Sequence, residues 1–179
     1  MAIEVPTPAL ESLVRFQAQL RASGSDLKLV ERENLHFTVK FLGEISDTQE
    51  AEVKSRLSKL SLASVDVELR GVGAFPKPDR PRVVWAGVSE EQRRAIELLS
   101  KEVVDSLEGI GERDDRPFQA HVTLARVRSP RNSRQLEALI RNNSDLPFGK
   151  VKLTELKLKS SSLTHSGPNY RDIGVYLLV

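Results

Sequence analysis

One short pattern occurs twice in this chain, and the repetition constrains the fold more than any other feature. The pattern is His-x-Thr-x within a run of β-branched, aromatic and aliphatic residues. It stands first at residues 36–42 and again at residues 121–127, 85 positions later. Runs of this composition are typical of β-strands. Two matching strands so far apart predict two similar halves rather than a linear array of elements.

Within each copy, the histidine and the threonine are two residues apart. Because alternate side chains of a strand point to the same face, His36 shares a face with Thr38, and His121 shares one with Thr123. Each strand therefore presents an imidazole and a hydroxyl on one face and apolar residues on the other. Two such strands brought together would form a site suited to acid–base chemistry at a phosphate.

Helix and strand signals alternate along the rest of the chain. Apolar residues at helical spacing predict helices near residues 7–23, 46–60, 89–107 and 129–143. Strand composition predicts strands near residues 2–5, 27–30, 35–42, 65–71, 83–88, 118–127, 148–159 and 173–179. The polar, glycine-bearing segment at residues 109–115 is the best candidate for a mobile loop.

This order of elements predicts an α+β fold with helices outside an antiparallel or mixed sheet. Each half of the chain is expected to supply two helices and about four strands around its own His-x-Thr strand. Residues 1–179 are then one bilobal domain whose site lies between the two lobes.

Composition excludes several classes of protein. The chain has no cysteine, which rules out disulfides, thiol catalysis and thiolate metal sites. No apolar run approaches the roughly 20 residues of a membrane span, and the first residues do not resemble an export signal. Hydrophobic content of 39% and charged content of 29% are ordinary for a globular protein. We therefore expect a cytoplasmic, monomeric protein that does not act on membranes.

Basic residues are concentrated in one part of the sequence. The segment 116–159 has ten basic and three acidic residues, a net charge of +7, whereas the whole chain carries only +2. An anion-binding face would produce this asymmetry. Solvated faces of a helix and strands would explain it equally well.

The paired histidines favour hydrolysis or transfer at a phosphodiester. Opening a cyclic phosphate requires a base that activates water and an acid that protonates the leaving oxygen on the opposite side of the phosphorus. Imidazole serves either role because its unperturbed pKa is about 6.5. A metal site is disfavoured because each histidine stands beside a threonine and no zinc-ligand spacing is present. His165 is expected in a surface turn, and Trp85 in the core.

At these residues the sequence resembles the two-histidine (2H) phosphoesterase superfamily. Within it, the chain is similar to the RNA 2′,3′-cyclic phosphodiesterases, historically named 2′-5′ RNA ligases. The segments that carry the resemblance are residues 33–44 and 121–126, together with residues 73–76, 81–85 and 167–170. Family chains usually begin a few residues earlier, so we expect a short first strand and lower stability.

The resemblance implies the bilobal fold, an RNA substrate and no cofactor. It also implies that His36 protonates the leaving 3′ oxygen and that His121 activates water, which leaves a 2′-phosphate. Thr38 and Thr123 would hold the phosphate.

Two further residues come from the resemblance alone. Family members place an arginine at the position of Arg126 and an aromatic residue at that of Phe41 near the ligand. Both residues follow their histidine by five positions, where plain strand alternation puts them on the opposite face. A bulge or a twist at the strand end would be needed to bring them to the site.

Other functions remain open at this point. The same site could join tRNA halves through a 2′-5′ bond, or act on a small cyclic nucleotide or a 2′-5′ oligoadenylate. The basic segment could instead belong to a non-catalytic RNA-binding module, although binding alone would not require a second acid–base group.

Overall fold

A computed structural model of the chain describes residues 1–112, 118–164 and 167–179, with side chains left out at residues 163–164 and 167–169. His165 and residues 113–115 of the expected mobile loop lie outside the described residues. The four helices of the described ranges are α1 (Thr7–Ala22), α2 (Asp47–Leu57), α3 (Glu90–Ser106) and α4 (Ser133–Asn142). None of them is long and apolar enough to cross a membrane.

The strands are β1 (Ala2–Glu4), β2 (Leu27–Leu29), β3 (His36–Thr38), β4 (Val65–Phe75), β5 (Val83–Val88), β6 (Val122–Val127), β7 (Pro147–Leu153), β8 (Glu155–Thr164) and β9 (Gly167–Leu177). They form one sheet in the order β7-β4-β5-β6-β3-β1-β8-β9, and β2 pairs with β6 beside β3. Every registered pair is antiparallel. The predicted α+β class is confirmed.

The two halves of this sheet are not the two halves of the chain, contrary to our expectation. Residues 148–159, predicted as one strand, are two strands interrupted at Thr154. β7 pairs with β4 at one end of the sheet, whereas β8 pairs with β1 in the other half. The local pattern failed here because both segments alternate apolar and polar residues, and alternation does not identify a partner strand.

The two motif strands meet at the centre of the sheet. β3 and β6 are neighbours, although both are shorter than predicted, with β3 limited to three residues. One face of this region is fully buried, since Phe37, Val84, Val122 and Ala125 all have exposures of 0%. These residues belong to a single hydrophobic core that also takes in the apolar sides of the four helices. The opposite face of the two motif strands is only partly buried.

Candidate active site

The four motif residues come together through a single registered pair. Phe37 of β3 lies opposite Val122 of β6 in antiparallel register. One step to either side of this pair brings His36 beside Thr123, and His121 beside Thr38. Phe37 and Val122 point into the core, so all four motif side chains lie on the outer face, where each is half-buried.

The two histidines occupy diagonal positions across the strands. Diagonal neighbours in an antiparallel pair lie roughly 7–8 Å apart, with their Cβ atoms somewhat closer. That separation leaves room for a phosphate between two imidazoles that approach it from different strands. A threonine stands beside each histidine on the same face, and each hydroxyl is able to donate a hydrogen bond to a phosphate oxygen.

His121 is held in one tautomer by the backbone that precedes it. Its Nδ1 lies 2.7 Å from the carbonyl oxygen of Gln119, and because a carbonyl only accepts, Nδ1 carries the proton. Burial lowers the pKa of His121, while the Gln119 carbonyl partly opposes that change. The neutral ring therefore keeps Nε2 unprotonated and able to accept a proton.

The ring of His121 packs against two aromatic side chains. Phe75 contacts it edge to face with centroids 4.9 Å apart, and the indole of Trp85 lies 6.2 Å away. Phe75 and Trp85 also contact each other at 5.3 Å. These rings restrict the orientation of the imidazole and supply the apolar surroundings that favour its neutral form.

His36 lies in a more strongly perturbed environment. Burial lowers the pKa of His36 to about 4, a hydrogen bond to the backbone of Asn34 opposes the change, and the charge of Lys159 adds to it. The ring of Tyr170 packs edge to face on His36 with centroids 5.8 Å apart. In the free protein at neutral pH, His36 is therefore uncharged.

A compensated cluster of four charges adjoins His36 on the sheet. Glu4 lies directly opposite His36 across β1 and β3. Its carboxylate accepts hydrogen bonds from Lys157 at 2.6 Å and Lys159 at 2.7 Å, and Asp172 pairs with the same two lysines at 3.2 and 2.6 Å. We call these four residues the ion-pair cluster. Its formal charges sum to zero.

A β-bulge brings Arg126 to the face of the histidines. Trp85 pairs with Thr123 and the preceding Val84 pairs with Ala125, so Leu124 has no residue opposite it. Leu124 and Ala125 are consecutive yet both fully buried, which shows the break in alternation. Arg126 therefore shares a face with Thr123, as the family resemblance required.

No bulge is needed to explain the direction of Phe41, because β3 ends before it. The regular strand ends at Thr38, so alternation no longer governs the direction of a residue three positions further on. The side chain of Phe41 is 58% exposed, which is unusual for an aromatic ring and leaves it available to a ligand. Contact with a ligand stays a prediction for this residue.

Trp85 is the residue that the sequence analysis misplaced. It was expected in the core, but its register with Thr123 and Gly73 puts it on the outer face, half-buried. Its indole lies over Gly73, where a Cβ atom would stand 2.2 Å from the ring. A glycine within an apolar strand is a signal of close packing that could have indicated this contact.

In the part of the chain that the structure describes, no group of three or more histidine, cysteine, aspartate or glutamate side chains could hold a metal ion.

An antiparallel sheet that joins two His-x-Thr strands at its centre defines a two-histidine phosphoesterase. The family model for LigT-like phosphoesterases matches residues 3–85 and again residues 87–170, one match around each copy of the motif. The chain belongs to this family.

Named relatives agree with this assignment over nearly the whole chain. A protein of Aeropyrum pernix named RNA 2′,3′-cyclic phosphodiesterase is 40% identical over 165 residues, which cover 90% of this chain and 92% of the relative. A protein of the same name from Archaeoglobus fulgidus is 40% identical over 152 residues, 85% of this chain and 84% of that one.

Solved structures show the same fold. The crystal structure of TT0787 from Thermus thermophilus is 28% identical, matches 99% of this chain and 95% of its own, and has a TM-score of 0.75. The apo structure of E. coli LigT has a TM-score of 0.77 at 23% identity and matches 99% of this chain and 94% of its own.

Proposed function

We propose that this protein hydrolyses the 2′,3′-cyclic phosphate at the 3′ end of an RNA and leaves a 2′-phosphate. The observation that carries the proposal is the Phe37–Val122 pair, which brings two histidines and two threonines to one partly exposed face. The activity named for the A. pernix and A. fulgidus relatives supports the choice of substrate.

His121 is the proposed general base. Its Nδ1–H is engaged by the carbonyl of Gln119, so the free Nε2 takes a proton from water as the water oxygen bonds to phosphorus. The lowered pKa of His121 keeps this nitrogen unprotonated at neutral pH. His36 then protonates the 3′ oxygen as the bond from phosphorus to that oxygen breaks. The products are a 3′-hydroxyl and a 2′-phosphomonoester.

The low pKa of His36 limits its acid role to the complex with substrate. A group with a pKa of about 4 holds almost no proton at pH 7 in the free protein. A phosphate anion beside the ring favours the charged imidazolium and so raises the pKa of His36. The substrate itself thus supplies the charge that converts this histidine into an acid.

Thr38, Thr123 and Arg126 are the proposed phosphate ligands. The hydroxyls lie beside the histidines, where they donate to the non-bridging oxygens as negative charge grows on them. Arg126 reaches the same face because of the bulge at Leu124 and adds a charge-assisted contact.

The proposal is tested with an oligoribonucleotide that ends in a 2′,3′-cyclic phosphate, incubated with the protein in the presence of EDTA. The expected product carries a 2′-phosphate, identified by chromatography against both isomers. A 3′-phosphate product, or activity lost on chelation, would contradict the mechanism. RNA binding without turnover of any cyclic phosphate would favour the binding module instead.

Several parts of the sequence-based hypothesis stay predictions. They are the cytoplasmic location, the monomeric state, the single bilobal domain, tRNA halves as substrate and 2′-5′ ligation. Supplying a 5′-hydroxyl acceptor in the same reaction and looking for a longer RNA tests the last of these.

A further inference from the structure

Charge is arranged differently across the strands and along them at the histidine pair. Across the strands from His36, the ion-pair cluster on β1, β8 and β9 matches two lysines with two carboxylates, and the lysine side chains are only 15% and 11% exposed. Because these charges are satisfied within the protein, this side offers little attraction to an additional anion.

Along β6, basic residues continue past Thr123, which lies level with His36, and beyond the phosphate ligands. Arg128 is two residues past Arg126, so the two share a face about 7 Å apart. The backbone N–H of Arg128 donates to the carbonyl of Asp26 at 2.9 Å, which extends the pairing of β2 with β6 by one more residue. Lys28 of β2 lies directly opposite Arg126. His121, Thr123, Arg126 and Arg128 therefore form a line roughly 20 Å long on one face.

The positive charges of the two arginines in this line are not neutralised by another residue of the described ranges. Within the described ranges, the guanidinium groups of Arg126 and Arg128 form no ion pair or hydrogen bond with another residue, and both side chains are exposed. The line ends at a groove of about 370 Å³ whose charged lining consists of Arg21, Lys28, Arg128 and Glu31. Three of these four charges are positive.

We propose that Arg126, Lys28, Arg128 and Arg21, which we call the basic strip, bind the backbone phosphates of the RNA upstream of its cyclic end. This inference rests on the proposed function. The cyclic phosphate occupies the 3′ terminus, so all other nucleotides lie on its 5′ side and leave the site in one direction. The neutral ion-pair cluster lies across the strands from His36, and the two uncompensated arginines lie along β6, so charge distinguishes these two paths out of the site.

A single RNA strand fits the strip better than a duplex or a folded protein partner. The positive charges lie along β6, on the neighbouring β2 and at the end of α1, and arginine and lysine are the residues that bind phosphate oxygens. The groove at the end of the strip is lined by the half-buried Leu27 and Leu29 and by no aromatic side chain, the anchor that protein interfaces favour. Binding of an acidic peptide is therefore an alternative that the experiment tests directly.

The experiment compares kcat/KM for 2′,3′-cyclic AMP with that for an octaribonucleotide ending in a 2′,3′-cyclic phosphate. We expect the wild-type protein to prefer the octamer. Arg128→Gln and Lys28→Gln should each lower the octamer-to-mononucleotide ratio about three- to tenfold, the size of one charged contact. The slope of log(kcat/KM) against log salt for the octamer should become shallower by about 0.7 per lost contact.

Lys152→Gln is the matched control. Lys152 is an exposed lysine on β7, at the opposite edge of the sheet, and its loss should leave the octamer-to-mononucleotide ratio unchanged. An equal change in all three variants would show a general charge effect and would overturn the inference.

The results that would contradict the role of the basic strip differ from those that would contradict the proposed function. Turnover of both substrates with no preference for the octamer, or with a ratio unaffected by Arg128→Gln, contradicts the strip alone. Lack of turnover on either substrate contradicts the proposed function. In that case, fluorescence anisotropy of the octamer bearing a 2′-phosphate still tests the strip, because Arg128→Gln must weaken binding. Displacement of this octamer by a poly-glutamate peptide at similar concentration would also contradict it.

Discussion

Phe37 and Val122 pair across β3 and β6, and both side chains are completely buried. This contact fixes the register of the two motif strands. A slip of one residue would send the two histidines to opposite faces of the sheet. A buried, apolar pair thus determines the geometry of the half-buried histidines and threonines on the other face.

We expect Phe37→Leu to reduce activity beyond its effect on stability. The smaller side chain should lower the free energy of unfolding by about 1–2 kcal/mol, as for other core replacements. Loosened pairing of the motif strands should also lower kcat, measured on protein that circular dichroism shows to be folded.

Phe148→Leu provides the comparison. Phe148 is 3% exposed and packs edge to face on Phe16 of α1, at a centroid distance of 5.8 Å. We expect a similar loss of stability and an unchanged kcat. Equal kcat values in the two variants would contradict the role given to Phe37.

The pKa of His36 predicts how stability depends on pH. The value is about 4 in the folded protein and about 6.5 in the unfolded chain. Between pH 4 and 6.5, His36 binds a proton in the unfolded chain but not in the folded protein. The free energy of unfolding therefore rises with pH across this range and gains nothing more from His36 above it. We expect the free energy of unfolding to rise by on the order of 3 kcal/mol over this range. Urea denaturation at several pH values measures it.

His36→Gln isolates the contribution of this histidine from that of other groups. The carboxylates of the ion-pair cluster also have lowered pKa values, and their stabilisation is lost as the pH falls further. The difference between wild type and variant should therefore change mainly above pH 4. A difference that is constant with pH would show that the pKa of His36 is not lowered by folding.

Trp85 reports the titration of His121 through its fluorescence. It is the only tryptophan of the chain, and its ring lies 6.2 Å from that imidazole. A protonated imidazole quenches a nearby indole, so emission should fall as the pH is lowered, with a midpoint below 6.5 because burial lowers the pKa. The step should vanish in His121→Gln and persist in His36→Gln. A midpoint above the ordinary histidine value would contradict the environment described.

Gly73 maintains the position of this tryptophan. In Gly73→Ala, the new Cβ would stand 2.2 Å from the indole, so the ring must move away from its place between Phe75 and His121. We expect a loss of about 1–3 kcal/mol in stability from overpacking and a shifted tryptophan emission maximum.

Gly109→Ala is the matched glycine variant. Gly109 has a positive φ of 81° but no atom within 4 Å of an added Cβ, so it tests backbone strain without a clash. It should lower stability with no change in the emission maximum. An unshifted spectrum in Gly73→Ala would show that the indole does not need this glycine.

The sequence predicted which motif side chains share a face better than it predicted which strands pair. His36, Thr38, His121 and Thr123 lie on one face in the structure, as expected, because side-chain alternation is a local property. The family resemblance required a bulge near Arg126, and the bulge is present. The extra residue itself has no local signal, because Leu124 suits a regular strand equally well.

Pairings between distant segments could not be predicted in the same way. The break at Thr154 sends β7 and β8 to opposite halves of the sheet, yet neither glycine nor proline marks it. Trp85 was expected in the core because an apolar strand was taken as buried on both faces. Its actual face depends on register with Gly73 and Thr123, which belong to other strands.

The central claim is that His36 and His121 act together on one phosphate. It is tested most directly by single-turnover rates with a 2′,3′-cyclic phosphate substrate for His36→Ala, His121→Ala and the double variant. Each single variant should lose about 10²- to 10⁴-fold, and the double variant should be scarcely slower than the worse single one, because the residues work as a unit. Retention of activity in either single variant, or losses that multiply in the double variant, would contradict the account.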